Sequence, residues 1–563
     1  MKSQFSKHKS LLIFITTVIM CGFSIMGGCL DYAGNDDTFR NLISAGAFGD
    51  IFNFYMPNSN ILYGVPAYLL NMILPQINWY YWIMVGLSVI SISASCSICL
   101  EKCDLFLAEA ITVFINIILA RDYYIAVQYT KSASLWIISG FIIIFHSICK
   151  ENLHWIWGAL LFVYGTSERF KCMLMALPFF AVFITVFYLA NYKQQNLPKF
   201  KVIIKPVIAL VLGIIILLVS EHSFRALHPE WKEYWEYDQA SVNLRDYMCL
   251  DYTHNPSEYD SINTDENDIA LYGNWLFGDT DFYDIYWLKK VYSIEQPFNN
   301  CKIRLSVDII KQTFINLFNI PTRNPFESLG PVFLTWIFIV FFLLRKNYPD
   351  KLFGLGILGC VVMMYWYFAC INRYMWRVEI GVFLSAVFLS GFYLSKAQQD
   401  ISRVPSKKTR ALFICIAVIL FGAYSVGMTY QWRYVKDKHI VEHEADISGR
   451  LETFVENPEN FYILTDFYVT NNPASLTYAK WNNLFSNSCY AGNWVLPSPT
   501  ALHSAREHGL DNPMTALISQ KPVFLHCDSE DKRNMIITHL KKISKHDIEA
   551  TEFPDNIWKL EVR

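Results

Sequence analysis

LLIFITTVIMCGFSIMGGCLDYAGNDDTFRNLISAGAFGD, residues 11–50, decides the fold. Twenty residues of nearly unbroken apolar character are long enough to cross a hydrocarbon core as a helix. Lys2, Lys7 and Lys9 precede them, as in a signal peptide, but the run extends to about Leu30 without a clear small-x-small cleavage site. It reads as a retained anchor. Directly after it come Asn35, Asp36 and Asp37. Two adjacent carboxylates at the edge of a bilayer need an explanation.

The rest of the chain agrees with a membrane protein. Of 563 residues, 53% are hydrophobic and only 17% charged, which excludes an ordinary soluble enzyme. A net charge of −2 with no basic stripe excludes a nucleic-acid partner. Aromatic residues make up 16%, which suits membrane interfaces and stacking against sugar rings.

Apolar runs predict spans at roughly 11–30, 79–100, 105–120, 132–149, 154–167, 171–190, 202–220, 330–344, 352–371, 377–396 and 411–430. ILYGVPAYLLNMILP, 61–75, is apolar but short and carries Pro66, Asn71 and Pro75. An interfacial or re-entrant helix fits it better. With that choice and a cytoplasmic N-terminus, the inner connections are 101–104, 150–153, 191–201, 345–351 and 397–410. They collect Lys193, Lys199, Lys201, Arg345, Lys346, Lys351, Arg403, Lys407, Lys408 and Arg410, as the positive-inside rule requires. The outer face then receives 31–78, 121–131, 167–171, 221–329, 372–377 and the tail from 431.

The expected fold is therefore mainly α: a polytopic helical module over 1–430 with about eleven spans, followed by a small extracytoplasmic α/β domain over 431–563. In the tail, FYILTD (461–466) and KPVFLHCD (521–528) read as buried strands. EDKRNMIITHLKKISKH (530–546) has helical spacing, and IEATEF and NIWKLEV read as a closing strand pair. No nucleotide-binding glycine fingerprint accompanies them. In the long loop, SVDIIKQTFINLF (306–318) is amphipathic and suits a membrane surface.

The candidate site residues lie on the outer face. Asp36 and Asp37 admit a local role as helix N-caps; a carboxylate there also suits a general base, and a pair suits a divalent cation such as Mg or Mn. Arg373 and Arg377, in CINRYMWRVEI, are four apart and predicted on one helical face. They read either as membrane-edge arginines or as bidentate donors to a phosphate. Glu168, Arg169, Arg121, Lys131, Arg245 and Asp246 are candidates for the pocket, or for mutual ion pairs. His222 and His228 read as ordinary interfacial histidines without zinc-ligand spacing.

NDDTFRNLISAG, QYTKSASLWIISG, YGTSERFKCMLMALPFF, NLRDY and NRYMWRV, in the setting of one span followed by an acidic outer loop, resemble the GT-C superfamily of integral membrane glycosyltransferases. The more local likeness is to its bacterial multi-pass members, over roughly 1–430. The resemblance implies a cell-membrane enzyme that takes sugar from a polyprenyl-phosphate-linked donor to a glycan, lipid or protein acceptor on the outer face, as in building envelope polysaccharide. It implies inversion, with Asp36 or Asp37 as base, Arg373 and Arg377 on the lipid phosphate, and a metal in only some members. A transporter or flippase, a polymerase or ligase of lipid-linked glycans, and a non-catalytic assembly protein are the rival readings.

Fourteen cysteines fall mostly in apolar runs, where a thiol acts as a small hydrophobe. The Cys96-x-x-Cys99 pair has no matching second pair. Cys249–Cys301 and Cys489–Cys527 bonds stay open.

Overall fold

The computed structural model describes residues 2–49, 52–192, 198–298, 303, 305–324, 327–396, 422, 427, 454–466 and 472–563. The chain is mainly helical, and each of the ten expected spans before residue 397 is a helix. In order they are α1 Lys2–Gly27, α4 Trp79–Cys99, α5 Leu105–Ala120, α6 Tyr129–Lys150, α7 Trp155–Glu168, α8 Phe170–Asn191, α9 Phe200–Leu227, α16 Gly330–Leu344, α17 Tyr348–Cys370 and α18 Trp376–Lys396. Between them lie α2 Asn35–Ser44 and α3 Ile61–Ile73 in the first loop. The long loop holds α10 Pro229–Tyr247, α11 Pro256–Ser261, α12 Glu266–Gly273, α13 Ile285–Glu295, α14 Val307–Phe318 and α15 Ile320–Arg323.

Seven of the ten are long and apolar enough to cross a membrane, which makes this a multi-pass membrane protein. The other three, expected at 105–120, 154–167 and 330–344, are helices of the short length expected. α5, α7 and α16 have 16, 14 and 15 residues. They nonetheless run between the same two ends of the bundle as their neighbours. The run 411–430, with Lys193, Arg403, Lys407, Lys408 and Arg410, lies outside the described residues. α3, at 13 residues, reaches about 20 Å, short of the roughly 30 Å core.

The connections sort to two ends. At one, Lys9 Nζ donates to the carbonyls of Leu100 and Cys103 at 2.5 and 2.7 Å, and Lys150 pairs with Glu101 at 2.7 Å. At the other lie the first loop, the 121–128 turn, the α7–α8 junction and the turn before α18. A two-residue parallel ladder joins β1, Asp31–Tyr32, to β2, Ala126–Val127, and so ties the first loop to the start of α6. α7 packs closely on α6 because glycines face each other. A Cβ on Gly140 would stand 2.7 Å from the Gly158 carbonyl oxygen, and one on Gly158 would stand 2.8 Å from that of Gly140. That close seating brings Glu168, at the end of α7, beside Tyr129, at the start of α6.

The tail forms a five-stranded sheet in the order β4-β3-β5-β7-β6, with β3 Phe461–Leu464, β4 Ser488–Tyr490, β5 Val523–His526, β6 Ile548–Phe553 and β7 Ile557–Val562. β3 pairs parallel with β4 and β5, and β7 antiparallel with β5 and β6. The expected strands and the helix α19, Glu530–Ser544, are present; short β4 was not foreseen. Cys489 and Cys527 are both free. β4 and β5 flank β3 on opposite sides, so the two cysteines are separated by two strand spacings, at least about 9–10 Å, beyond the reach of a disulfide. Cys301 lies outside the described residues.

The long loop and the tail share one hydrophobic core. Leu271, Tyr272 and Trp287 pack in one cluster with Ile463, Leu525 and Ile536. The tail also docks on the first loop: Phe485 N donates to Ala47 O, Asn41 donates to Leu476 O at 3.0 Å, and Phe48 stacks on Phe485.

Candidate functional site

Neither acidic residue of the opening stretch is a helix cap. The N-cap of α2 is Gly34, and no side chain bonds there. Asp36 and Asp37 occupy the first turn, where the helix dipole favours negative charge. One residue apart on a helix, they point to different partners.

Asp37 turns inward and is fully buried. Its Oδ1 accepts a 2.9 Å hydrogen bond from the Tyr80 hydroxyl of α4 and another, also 2.9 Å, from the Tyr129 amide. That amide is an orphan donor at the start of α6, so the carboxylate completes a helix end. Asp37 Oδ2 is buried without a hydrogen-bond partner. Burial pushes the Asp37 carboxyl up to about 7, against the pull of Arg40 and with a further push from Asp36.

Arg40, one turn further along α2, is also fully buried and pairs with the Glu168 carboxylate. Its Nη1 stands 3.1 Å from Glu168 Oε1, and its Nη2 donates to the Ser59 hydroxyl, which in turn donates to the Glu168 carbonyl at 2.6 Å. The guanidinium lies 4.1 Å from the centre of the Tyr129 ring, and Arg169 approaches the same ring at 5.4 Å. Three charges are thus taken out of water in one cluster, at a cost of several kcal/mol each before their mutual attraction. Both Glu168 carboxylate oxygens lack a hydrogen bond in good geometry.

Asp36 turns outward and pairs with Arg377 in the first turn of α18. About a quarter of each side chain is exposed. The expectation that Arg373 and Arg377 share a helical face is corrected. α18 begins at Trp376, and Arg373 lies in the preceding turn, where Asn372 has φ 47°. The two still meet: Arg373 Nε and Arg377 Nη2 lie 3.4 and 3.5 Å from the Met375 sulfur. Arg373 holds Asp246 at 2.8 Å, and Arg245 holds Asp238 at 3.2 Å.

Arg121 and Lys131 gather elsewhere. Lys131 Nζ is 2.5 Å from Asp122 Oδ1 and 3.9 Å from Glu327, with Arg121 4.0 Å from Glu327 and the Trp376 indole donating to Asp122. This ion cluster anchors the head of α18. His228 packs between the Phe52 and Phe224 rings, 4.6 Å from each.

Among the described residues no three His, Cys, Asp or Glu side chains converge on a point. Asp36 and Asp37 turn to different sides of α2, one to Arg377 and one to Tyr80 and the Tyr129 amide, so they do not fit a divalent cation held between them.

Sequence reading missed Arg40, Tyr80 and the Glu379–Arg323 bridge, two contacts of 2.9 Å with the Tyr365 hydroxyl donating to the same carboxylate. For Arg40 a signal existed, the i, i+3 spacing from Asp37.

No protein-family model matches the chain, and no curated protein matches it. Among solved structures, the chain is similar to the crystal structure of ArnT from Cupriavidus metallidurans in the apo state. The two share 9% identity over 97% of this chain and 96% of that chain, with a TM-score of 0.47. At that similarity no residue role passes from one chain to the other.

Proposed function

We propose that this protein is a membrane glycosyltransferase of the GT-C type. It moves a sugar from a polyprenyl-phosphate-linked donor to an acceptor hydroxyl on the outer face of a bacterial cell membrane. The observation that carries this reading is Asp37. One of its oxygens is fixed by two donors, the other has a vacant lone pair, and its carboxyl sits near neutrality beside a set of arginines. A general base works best when its pKa lies near the operating pH.

The steps follow from these groups. The donor tail lies in the bilayer, and its phosphate meets Arg377 and Arg373 at the interface. In the free protein each arginine holds a carboxylate, Asp36 or Asp246, whose planar oxygens a phosphate can replace. The acceptor oxygen attacks the anomeric carbon and passes its proton to Asp37 Oδ2. As the new C–O bond forms, the bond to the phosphate oxygen breaks and its electron pair leaves with the phosphate. The arginines spread that charge, and a single displacement inverts the configuration. Arg40 and Tyr80 hold Asp37 in place without touching substrate.

The test uses the full chain in liposomes with lipid-linked sugars extracted from cell membranes. Lipids that co-purify with the protein should include a polyprenyl-phosphate sugar, lost in an Arg373→Ala/Arg377→Ala double variant. Asp37→Asn should bind the donor and fail to transfer. Wild-type transfer rates in both Asp36→Asn and Asp37→Asn would overturn the reading.

A further inference from the structure

Beside the catalytic cluster, at the edge of the bundle, lies a cavity of about 250 Å³ that the reaction above does not use. The loop Tyr55–Asn60, the end of α7, the outer end of α9 and the middle of α10 wall it. Its back wall includes Ser59, the hydroxyl that accepts from Arg40. The cavity is therefore one side chain away from the Asp37 and Arg40 cluster.

Its walls are of two kinds. Phe170, Leu217 and Leu218 line it from the ends of two spans. Phe170 and Leu218 are exposed, and α9 is the least covered of the seven long apolar helices. The other walls are polar: Asn58, Asn60, Glu221, Arg225, Asp238 and Gln239. Two buried polar atoms here have no hydrogen-bond partner, Arg225 Nε and the Tyr234 hydroxyl. Buried polar groups are seldom left unpaired unless a ligand or water completes them. Trp235 carries the Arg225 guanidinium 4.4 Å from its ring centre and is 38% exposed, which leaves aromatic surface for a ligand.

Charge identifies the ligand class. Glu221 is matched by Arg225 at 2.6 Å and Asp238 by Arg245, so the walls are close to neutral overall. An anionic group would meet two carboxylates. A hydroxyl-rich ring finds both what it stacks on and what it bonds to. Arg373 and Arg377 do not line the cavity, so the donor phosphate belongs elsewhere.

We propose that this cavity binds the uncharged saccharide headgroup of a membrane glycolipid, the acceptor of the reaction, with its tail along α9. The identification as acceptor rests on the glycosyltransferase reading; the preference for a sugar-headed lipid does not. The test is native mass spectrometry of the full chain in nanodiscs of phosphatidylethanolamine and phosphatidylglycerol. The probes are monoglucosyl- and monogalactosyl-diacylglycerol, plain diacylglycerol and undecaprenyl phosphate. The hexosyl lipids should bind in preference to diacylglycerol. Trp235→Ala, by loss of an aromatic contact, and Gln239→Leu, by loss of a hydrogen bond, should each weaken them about tenfold and leave undecaprenyl phosphate unchanged. Trp235→Phe should restore them, which separates recognition from misfolding. Equal binding of sugared and plain lipid would overturn the proposal. So would a Trp235→Ala variant that loses undecaprenyl phosphate as strongly as hexosyl lipid, since the cavity would then serve the donor. If undecaprenyl phosphate binds neither wild type nor variants, the glycosyltransferase reading fails, while a hexosyl preference lost in Trp235→Ala still supports the cavity.

Discussion

Two buried ion clusters in this molecule use the same chemistry and end differently. In the unit formed by the long loop and the tail, His539 stands between two carboxylates, 2.8 Å from Asp268 Oδ1 and 3.0 Å from Asp279 Oδ2. Both neighbours only accept, so both ring nitrogens donate and the imidazole is charged. The remaining oxygens are also met: Asp268 Oδ2 by Lys542 and the Asp265 amide, Asp279 Oδ1 by Asn512 at 2.7 Å and the Phe282 amide. In the Asp37, Arg40 and Glu168 cluster, by contrast, Asp37 Oδ2 and Arg40 Nε have no hydrogen-bond partner, while the Glu168 carboxylate is met by the Arg40 guanidinium at 3.1 Å. A closed network braces a fold; an open one keeps lone pairs available for a substrate. The contrast predicts that mutation will separate stability from activity across the two clusters.

The largest effect should come from Asp37→Asn. Losing a general base costs about 10²- to 10⁴-fold in rate. The substitution also removes a carboxylate that burial already destabilises, so the unfolding midpoint should hold or rise while turnover collapses. A variant that unfolded as it lost activity would make Asp37 a brace like His539, and the contrast would fail.

His539→Ala should do the reverse. It strips the shared partner from two buried carboxylates, which costs about 3 kcal/mol or more. Hydrogen exchange over Glu530–Ser544 should accelerate, while transfer per folded molecule stays near wild type.

The two clusters should also answer oppositely to pH. The Asp37 carboxyl is raised to about 7 and works as a base only when deprotonated, so kcat/KM should climb through about pH 7. The His539 imidazole is raised from its ordinary value despite burial, because Asp268 and Asp279 bond it; those two carboxyls are lowered by His539 in turn. The histidine contribution to stability is complete below about pH 6.5 and is lost as pH rises through its raised folded value. The carboxylate contributions are present above about pH 4 and are lost as pH falls through their lowered values. The unit of long loop and tail should therefore resist proteolysis best at mildly acid pH, where transfer is slow. Coincident optima would break the comparison.

How far the sequence carried this picture depends on distance along the chain. Apolar runs and strand alternation are local, so the ten apolar helices expected as spans before residue 397 and four of the five tail strands were readable, while α10 to α13 of the long loop were not. The site was half readable. Asp36 and Asp37 stand out because charge after an apolar run is conspicuous, and Arg40 was within reach as the third residue after Asp37. That Arg40 meets Glu168 depends on α7 seating against α6 through Gly140 and Gly158, which no local pattern reports. Arg373 and Arg377 were read as helical neighbours because spacing cannot locate a helix start. The turn at Asn372 decides it, and the two arginines meet around Met375 instead. The core that the long loop shares with the sheet escaped for the same reason: Leu271 and Leu525 are distant in sequence and adjacent in space.

The smallest predicted effect separates the two acidic neighbours. Asp36 is partly exposed and paired with Arg377, so it competes with the donor phosphate for one guanidinium. A pair of that exposure is worth about 1 kcal/mol or less. Asp36→Asn removes the competitor and keeps the shape, so undecaprenyl phosphate should bind up to about fivefold more tightly. Turnover at saturating donor should change little, because the proton goes to Asp37. The gain should shrink in high salt, since exposed charges are screened. The double variant Asp36→Asn/Arg377→Ala should bind no better than Arg377→Ala alone, because the freed guanidinium is what the phosphate gains. If Asp36→Asn instead lowered turnover as far as Asp37→Asn does, the base would be shared or misassigned. The open lone pair of Asp37 would then belong to a structural carboxylate, and the distinction between an open and a closed cluster would no longer identify the site.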